Sequence, residues 1–188
     1  EIYDDTKNSE FDLLECHWKV GGADTLYNVF NTIPKKDTVV SSSDSNQKVT
    51  QDEPSMQIRV GVGDNFGLSP DVTSTFNDLP AIQMLSMMGF TVDTFGNHSF
   101  DNSLNYLNKI LEYAGFPFVA TSLVNVPQNL DNTYKYAIVH VPSANNDKNA
   151  LPVAFISALD EDVQKSVFSG NFGTLDVGDF CSVAQTIE

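Results

Sequence analysis

Basic side chains are scarce in this sequence. Ten Lys and Arg stand against 25 Asp and Glu, for a formal net charge of −15. Such a surface repels a phosphate backbone, which argues against nucleic acid as a partner and against anionic membrane surfaces. No apolar run approaches the roughly 18 residues needed to span a bilayer. Cysteine is nearly absent: Cys16 and Cys181 fit either one long-range disulfide or two buried free thiols. Neither belongs to a CxxC or Cys/His cluster, so zinc-finger and thioredoxin-type chemistry has no support. The start lacks a basic segment followed by an apolar one and opens on Glu1. The chain therefore reads as a mature secreted or cell-surface protein. Histidine occurs only three times, as His17, His98 and His140.

Apolar material is plentiful. With 41% hydrophobic residues and thirteen Phe in 188 positions, the chain can bury a substantial core, and one domain over 1–188 is expected. "FDLLECHW" has the content of a short strand, and "GGADTLYNVFNTI" reads as a Gly turn and a helix with Leu26, Val29, Phe30 and Ile33 on one face. Residues 34–55 are polar and Ser-rich, the composition of a long mobile surface loop. "QIRVGVGD" then forms a strand, "NDLPAIQMLSMMG" a helix, "FTVDTF" a strand, "DNSLNYLNKILEYAG" a helix and "FPFVAT" a buried strand. In the second of these helices Leu104, Leu107, Leu111 and Ala114 share a face. "YKYAIVHV" and "PVAFISAL" suit an antiparallel hairpin, and the stretch after Asp160 reads as loop and short turns. The fold class expected is mixed α/β, with mixed β-sheet layers covered by helices.

Two polar clusters interrupt this pattern, "GVGDNF" and "TFGNHSFDN", each where a strand ends. Ligands collect beyond the carboxyl ends of strands in sheets of this type, so Asp64, Asn97 and His98 are expected to meet there. A carboxylate and an amide oxygen suit hard divalent cations, and an imidazole can ligate or move a proton. Other residues have structural readings. His140 alternates within an apolar strand, as a core or surface pairing residue does, and Met84, Met87 and Met88 read as core filling. "NHS" at Asn97 also matches an N-glycosylation pattern, which a strand-end pocket would shield.

The ordered run "VGVGDNFGLSPDVTSTFNDLPAIQMLSMMGFTVDTFGNHSFDNSLNYLNKILEYAGFPFVATSLV" resembles the catalytic domain of 5′-nucleotidases, within the calcineurin-like metallophosphoesterase superfamily. That family reads G-D-x-x-x-G-S-P, a helix ending in M-G-[YF]-D, then G-N-H-E-F-D-x-G. The resemblance implies a two-metal hydrolase using Mn, Zn, Mg or Ca. Asp64 would bridge the ions, Asn97 would ligate one, and His98 would stabilise or protonate the phosphate ester. His17 and Glu15 of "ECHW" align with the family's opening D-x-H, and a nucleotide or other phosphomonoester is the implied substrate.

Departures from the pattern are specific. Glu15 is one methylene longer than Asp. Ser99 replaces an acid expected beside the catalytic His, and Leu68 stands where Gly is common. No histidine follows "PVAFISAL", so the family's later G-H-x-H ligands are missing. The sequence thus resembles an amino-terminal half of a phosphoesterase domain, or a domain without its second half. Two functions stay open: a metal-dependent phosphomonoesterase to which this chain supplies part of the site, completed by a carboxy-terminal half or by self-association, and an extracellular structural or binding protein that keeps the fold without catalysis.

Overall fold

The computed structural model describes residues 22–32, 38–40, 49–51, 57–141, 150–168 and 170–185. Glu15, Cys16 and His17, with the strand expected around them, lie outside the described residues. The chain divides into two units, Glu1–Ser55 and Met56–Glu188.

In the first unit, helix α1 spans Ala23–Thr32 with Asp24 in its first turn, where a carboxylate complements the helix dipole. Leu26 and Val29 of its apolar face are exposed, and Phe30 is half-buried. Residues 34–55, expected as loop, contain two short strands. β1 (Thr38–Val40) pairs antiparallel with β2 (Val49–Gln51), Thr38 opposite Gln51 and Val40 opposite Val49. The β-branched Thr38, Val39, Val40, Val49 and Thr50 favour this pairing despite the polar surroundings.

The second unit is built on a small parallel sheet. Helices α2 (Asp71–Ser74) and α3 (Leu79–Met87) lead into strand β3 (Asp93–Thr94), and helix α4 (Leu104–Glu112) leads into β4 (Phe118–Val119). β3 pairs parallel with β4, and β4 with β6 (Thr133–Tyr134), which follows β5 (Leu123–Val124) in the chain. The expected strand over "QIRVGVGD" is reduced to one parallel bridge, Val60 to Val92, flanked by bonds from Thr91 N–H to the Arg59 carbonyl and from Gly61 N–H to the Val92 carbonyl. Gly61 and Gly63 weaken strand character after that point. Residues 59–61, β3, β4 and β6 therefore lie side by side, with α3 and α4 in the connections.

Helix α3 buries Ile82 and Leu85, and Met88 follows on the same face. Met87 is 69% exposed, not core as expected, because the next helical position turns about 100° away from Met88. Helix α4 starts where the Ser103 hydroxyl accepts the Tyr106 N–H, a cap worth about 1 kcal/mol, and buries Leu107, Ile110 and Leu111.

Phenylalanines hold the core together. Phe95 stacks on Phe118 with centroids 5.2 Å apart, and Phe100 meets Phe172 at 4.5 Å. Phe66, Phe116, Phe172, Val163 and Leu175 are buried with them, so the stretch after Asp160 contributes core side chains. That stretch also forms β9 (Asp176–Val177), antiparallel to β5, and helix α5 (Phe180–Ala184), whose Asp179 cap accepts the Ser182 N–H. Cys181 on α5 is exposed with a free thiol, so it is not a buried thiol as one reading expected. The expected hairpin is present as β7 (Ala137–Val141) and β8 (Leu151–Phe155), antiparallel over five pairs, with His140 exposed opposite Pro152.

Candidate metal and phosphate site

Chain segments leaving residues 59–61 and β3 by their carboxyl ends fold against each other. Gly63, at φ +91°, has the place of a Cβ filled by Gly96 N and the Phe95 carbonyl group, and the corresponding place at Gly67, at φ +80°, lies 2.0 Å from the His98 carbonyl oxygen. Only a residue without a side chain allows these two backbones to approach so closely. Leu68, where the resembling family often has Gly, takes φ +40°, a left-handed conformation costly for a branched side chain.

Asp64, also left-handed at φ +53°, is exposed and sends Oδ1 across the gap to accept the His98 N–H at 3.0 Å. Oδ1 sits 2.1 Å from where a Cβ on Gly96 would be, so this approach depends on a glycine there. Asn97 precedes His98 in a 3₁₀ turn, Asn97–Phe100, and is half-buried. Asp64, Asn97 and His98 are thus drawn together by the backbone itself.

The His98 ring is fixed by a residue that the sequence reading missed. Its Nδ1 lies 2.9 Å from Asp101 Oδ2, with both side chains about a third exposed or less, at 32% and 27%. With Nδ1–H donating to the carboxylate, Nε2 is left as the outward-facing nitrogen, an acceptor when the ring is neutral. Ser99 stands where an acid beside this histidine is expected. Asp101 supplies one instead, because residues three apart eclipse in a 3₁₀ turn. The H-x-x-D spacing of "HSFD" was the available signal. Ser99 is buried, and its hydroxyl accepts the Gly96 N–H at 3.2 Å. Behind the turn, Asn171 donates to the Asp101 carbonyl at 2.7 Å, so the later part of the unit buttresses it.

Two further carboxylates anchor the facing loop. Asp78, buried and left-handed, accepts the Gly67 N–H at 3.3 Å and the Tyr106 hydroxyl at 2.9 Å. Burial, aided by the bond and charge of Asp78, pushes the Tyr106 hydroxyl well above its ordinary range. Asp93, 1% exposed, accepts N–H groups of Thr94 and Gly63 and the side-chain amide of Asn65. Burial pushes its carboxyl above the ordinary Asp range, and the three donors offset part of that.

For a divalent cation, the described donors are the free oxygen of Asp64, the Asn97 amide and the His98 Nε2. Among the described residues no three His, Cys, Asp or Glu side chains gather as a metal group. This oxygen-and-imidazole set suits one face of a hard or borderline ion and does not close a coordination sphere. Glu15 and His17 lie outside the described residues.

No family model matches the chain. Among curated proteins it is 29% identical over 142 residues to cell wall protein Lmo0130 of Listeria monocytogenes, covering 69% of this chain and 18% of that protein. It is 44% identical over 45 residues to a 2′,3′-cyclic-nucleotide 2′-phosphodiesterase/3′-nucleotidase of Haemophilus influenzae, covering 24% of this chain and 7% of the relative. The chain thus spans less than a fifth of the length of these relatives. Among solved structures, Haemophilus influenzae NAD nucleotidase superposes with a TM-score of 0.53 at 18% identity, covering 69% of this chain and 24% of that one. The calcineurin-like phosphoesterase YfkN of Bacillus subtilis gives 0.52 at 19%, covering 69% and 42%. The chain therefore resembles 5′-nucleotidase-like, calcineurin-type phosphoesterases and has a metallophosphoesterase fold, over part of that fold's length.

Proposed function

We propose that this chain supplies part of the site of a divalent-metal-dependent phosphomonoester hydrolase of the 5′-nucleotidase kind. The observation that carries the reading is the pair of bonds at His98: its N–H held by Asp64, its ring held by Asp101. In this reading Asp64 and Asn97 are oxygen donors to Mn, Zn, Mg or Ca. A divalent ion bound there would act as a Lewis acid on the phosphoryl oxygen and make hydroxide available near neutral pH. His98 presents Nε2 to the ester. Protonated, Nε2 donates a hydrogen bond to a phosphoryl or leaving oxygen, while Asp101 balances the imidazolium. Substrate is a nucleotide or related phosphomonoester, and the surroundings are extracellular or at the cell surface. The likeness to a cell wall protein supports that location.

This chain alone is expected to bind one divalent ion weakly and to show negligible turnover, because its described residues leave the coordination sphere open. Calorimetric titration with Mn²⁺ and Zn²⁺, and hydrolysis of AMP and p-nitrophenyl phosphate, test this against Asp64→Ala and His98→Ala. Metal binding that Asp64→Ala leaves untouched would refute the assignment. A second reading, a non-catalytic surface protein that keeps the fold, is favoured by the cell wall relative, which covers 69% of this chain. An intact mass of the native protein well above 20.6 kDa points to the hydrolase, and a mass equal to it points to the binding protein.

A further inference from the structure

Asp93 is out of character for its place in the fold. It stands on β3, preceded by the buried Val92 and opposite the buried Phe118 of the neighbouring strand, and it lines a cavity of about 250 Å³ with Gly61, Val119, Phe155 and Ser157. An apolar side chain at such a position is the ordinary choice, since a buried charge costs several kcal/mol unless it is well bonded. Its carboxylate is well bonded, and the partners are selective. Oδ1 accepts Thr94 N–H at 2.8 Å and Gly63 N–H at 3.3 Å, and Oδ2 accepts the Asn65 side-chain amide at 2.8 Å. Gly63 and Asn65 are the two residues on either side of Asp64, and no bond joins Asp93 to Asp64 itself. The loop has also been cleared for this carboxylate: a Cβ on Gly61 would lie 2.0 Å from Oδ1.

We propose that Asp93 is a positioning residue: by holding both neighbours of Asp64 it moulds the 63–65 turn so that Asp64 faces His98. Between the two pinned neighbours, the left-handed conformation at Asp64 turns its side chain away from Asp93 and towards the His98 N–H. A core anchor bonded to its own strand would serve stability alone. Asp93 spends two of its three bonds on the opposite loop, at the residues that set the direction of Asp64. The inference rests on Asp64 being the functional carboxylate, and it is tested first without any ligand.

The test is amide hydrogen exchange by NMR on the full chain, with exchange at His98 compared against the amides of the buried Leu107, Ile110 and Leu111 of α4. Asn65→Asp sets a second carboxylate against Asp93 Oδ2, a repulsion that no amide flip relieves. Exchange at His98 should then speed up about tenfold while the core amides keep their protection. Adding Asp93→Asn restores a complementary donor and acceptor and should return His98 to within about threefold of wild type. If Asn65→Asp does not fold, Asn65→Ala decides alone: it removes only the Oδ2 partner and should accelerate His98 selectively. Unchanged protection at His98, or equal loss throughout the core without rescue by the exchanged pair, overturns the proposal. Mn²⁺ titration of the same variants separates the two claims. Selective exchange with no metal binding in wild type leaves Asp93 as a positioning residue and removes the hydrolase reading.

Discussion

Replacing Gly96 with alanine probes the contact on which the candidate site depends. Gly96 has φ −113° and ψ −174°, extended backbone that alanine adopts freely, so any penalty is steric. The new Cβ would lie 2.1 Å from Asp64 Oδ1, 2.5 Å from its Cγ and 2.9 Å from its backbone nitrogen. Ordinary contact starts near 3.4 Å, so the carboxylate has to move by more than an ångström and the loop has to give slightly. The bond from His98 N–H to Asp64 Oδ1 cannot survive that displacement. Because Asp64 is exposed, that charge-assisted bond is worth only about 1 kcal/mol after solvent screening, and overpacking adds about 1–2 kcal/mol.

Urea unfolding of Gly96→Ala should accordingly show a loss of about 2–3 kcal/mol, with faster amide exchange at His98. The source can be isolated. In an Asp64→Ala background the side-chain clash is gone and only the contact with Asp64 N remains, so the cost of Gly96→Ala should fall by more than half. Gly67→Ala makes the contrast. Its Cβ meets the His98 backbone oxygen at 2.0 Å from a φ of +80°, so no side-chain deletion rescues it. A Gly96→Ala protein with wild-type stability and His98 protection, or one whose penalty is identical with Asp64 removed, would refute the account of how these loops meet.

Asp101→Ala should release the His98 ring without unfolding the protein, and ¹⁵N NMR of the imidazole should show the Nδ1–H tautomer falling towards the distribution of free histidine. Phe100→Ala removes a fully buried ring packed at a tilt against Phe172 and should cost about 3–5 kcal/mol in urea, where a cost below about 1.5 would contradict the packing. For Asp93 the carboxyl is raised above its ordinary 3.8, so its contribution to stability is fully present below that value and is lost as pH rises through the folded-state pKa. The stability of wild type relative to Asp93→Asn should therefore decline as pH climbs from 3 towards 7, and a rise over that range would reverse the sign of the burial effect.

Long-period patterns were legible in the sequence, and short-range geometry was not. Helices α3 and α4 follow from apolar spacing, with Pro80 opening the first and Ser103 capping the second, and the β7–β8 hairpin from two apolar runs around a turn-rich linker. Strand boundaries were overestimated at residues 57–64, because Gly61 and Gly63 sit in a stretch whose valines alone suggest a full strand. The pairing of β1 with β2 was hidden by serine-rich surroundings. In the site, Asp64, Asn97 and His98 stand out as polar residues at strand ends. Asp101 and Asp93 do not. The first acts through the eclipsed side chains of a 3₁₀ turn, a conformation that hydrophobic periodicity cannot signal. The second sits in "FTVDTF", where one acid in an apolar strand looks like an interruption until its partners across the sheet are known.

The bond that orients Asp64 also limits what it can hold. An ionised carboxylate offers about four lone-pair directions. One of those on Oδ1 is committed to the His98 N–H, on the side where Gly96 makes room. Under the proposed function, metal ligation by Asp64 would thus fall mainly to Oδ2, and an ion pulling on Oδ1 would compete with the bond that keeps the two loops together. Asn97, one residue before His98, moves with the same turn, so the two oxygen donors are coupled through the backbone. Metal binding should therefore tighten the His98 amide bond if the ion uses Oδ2, and loosen it if the ion takes Oδ1. Exchange at that single amide, followed with and without a saturating diamagnetic ion such as Zn²⁺, distinguishes the two. Slower exchange is the outcome this geometry requires, and faster exchange would mean that the loops reopen to accept the ion.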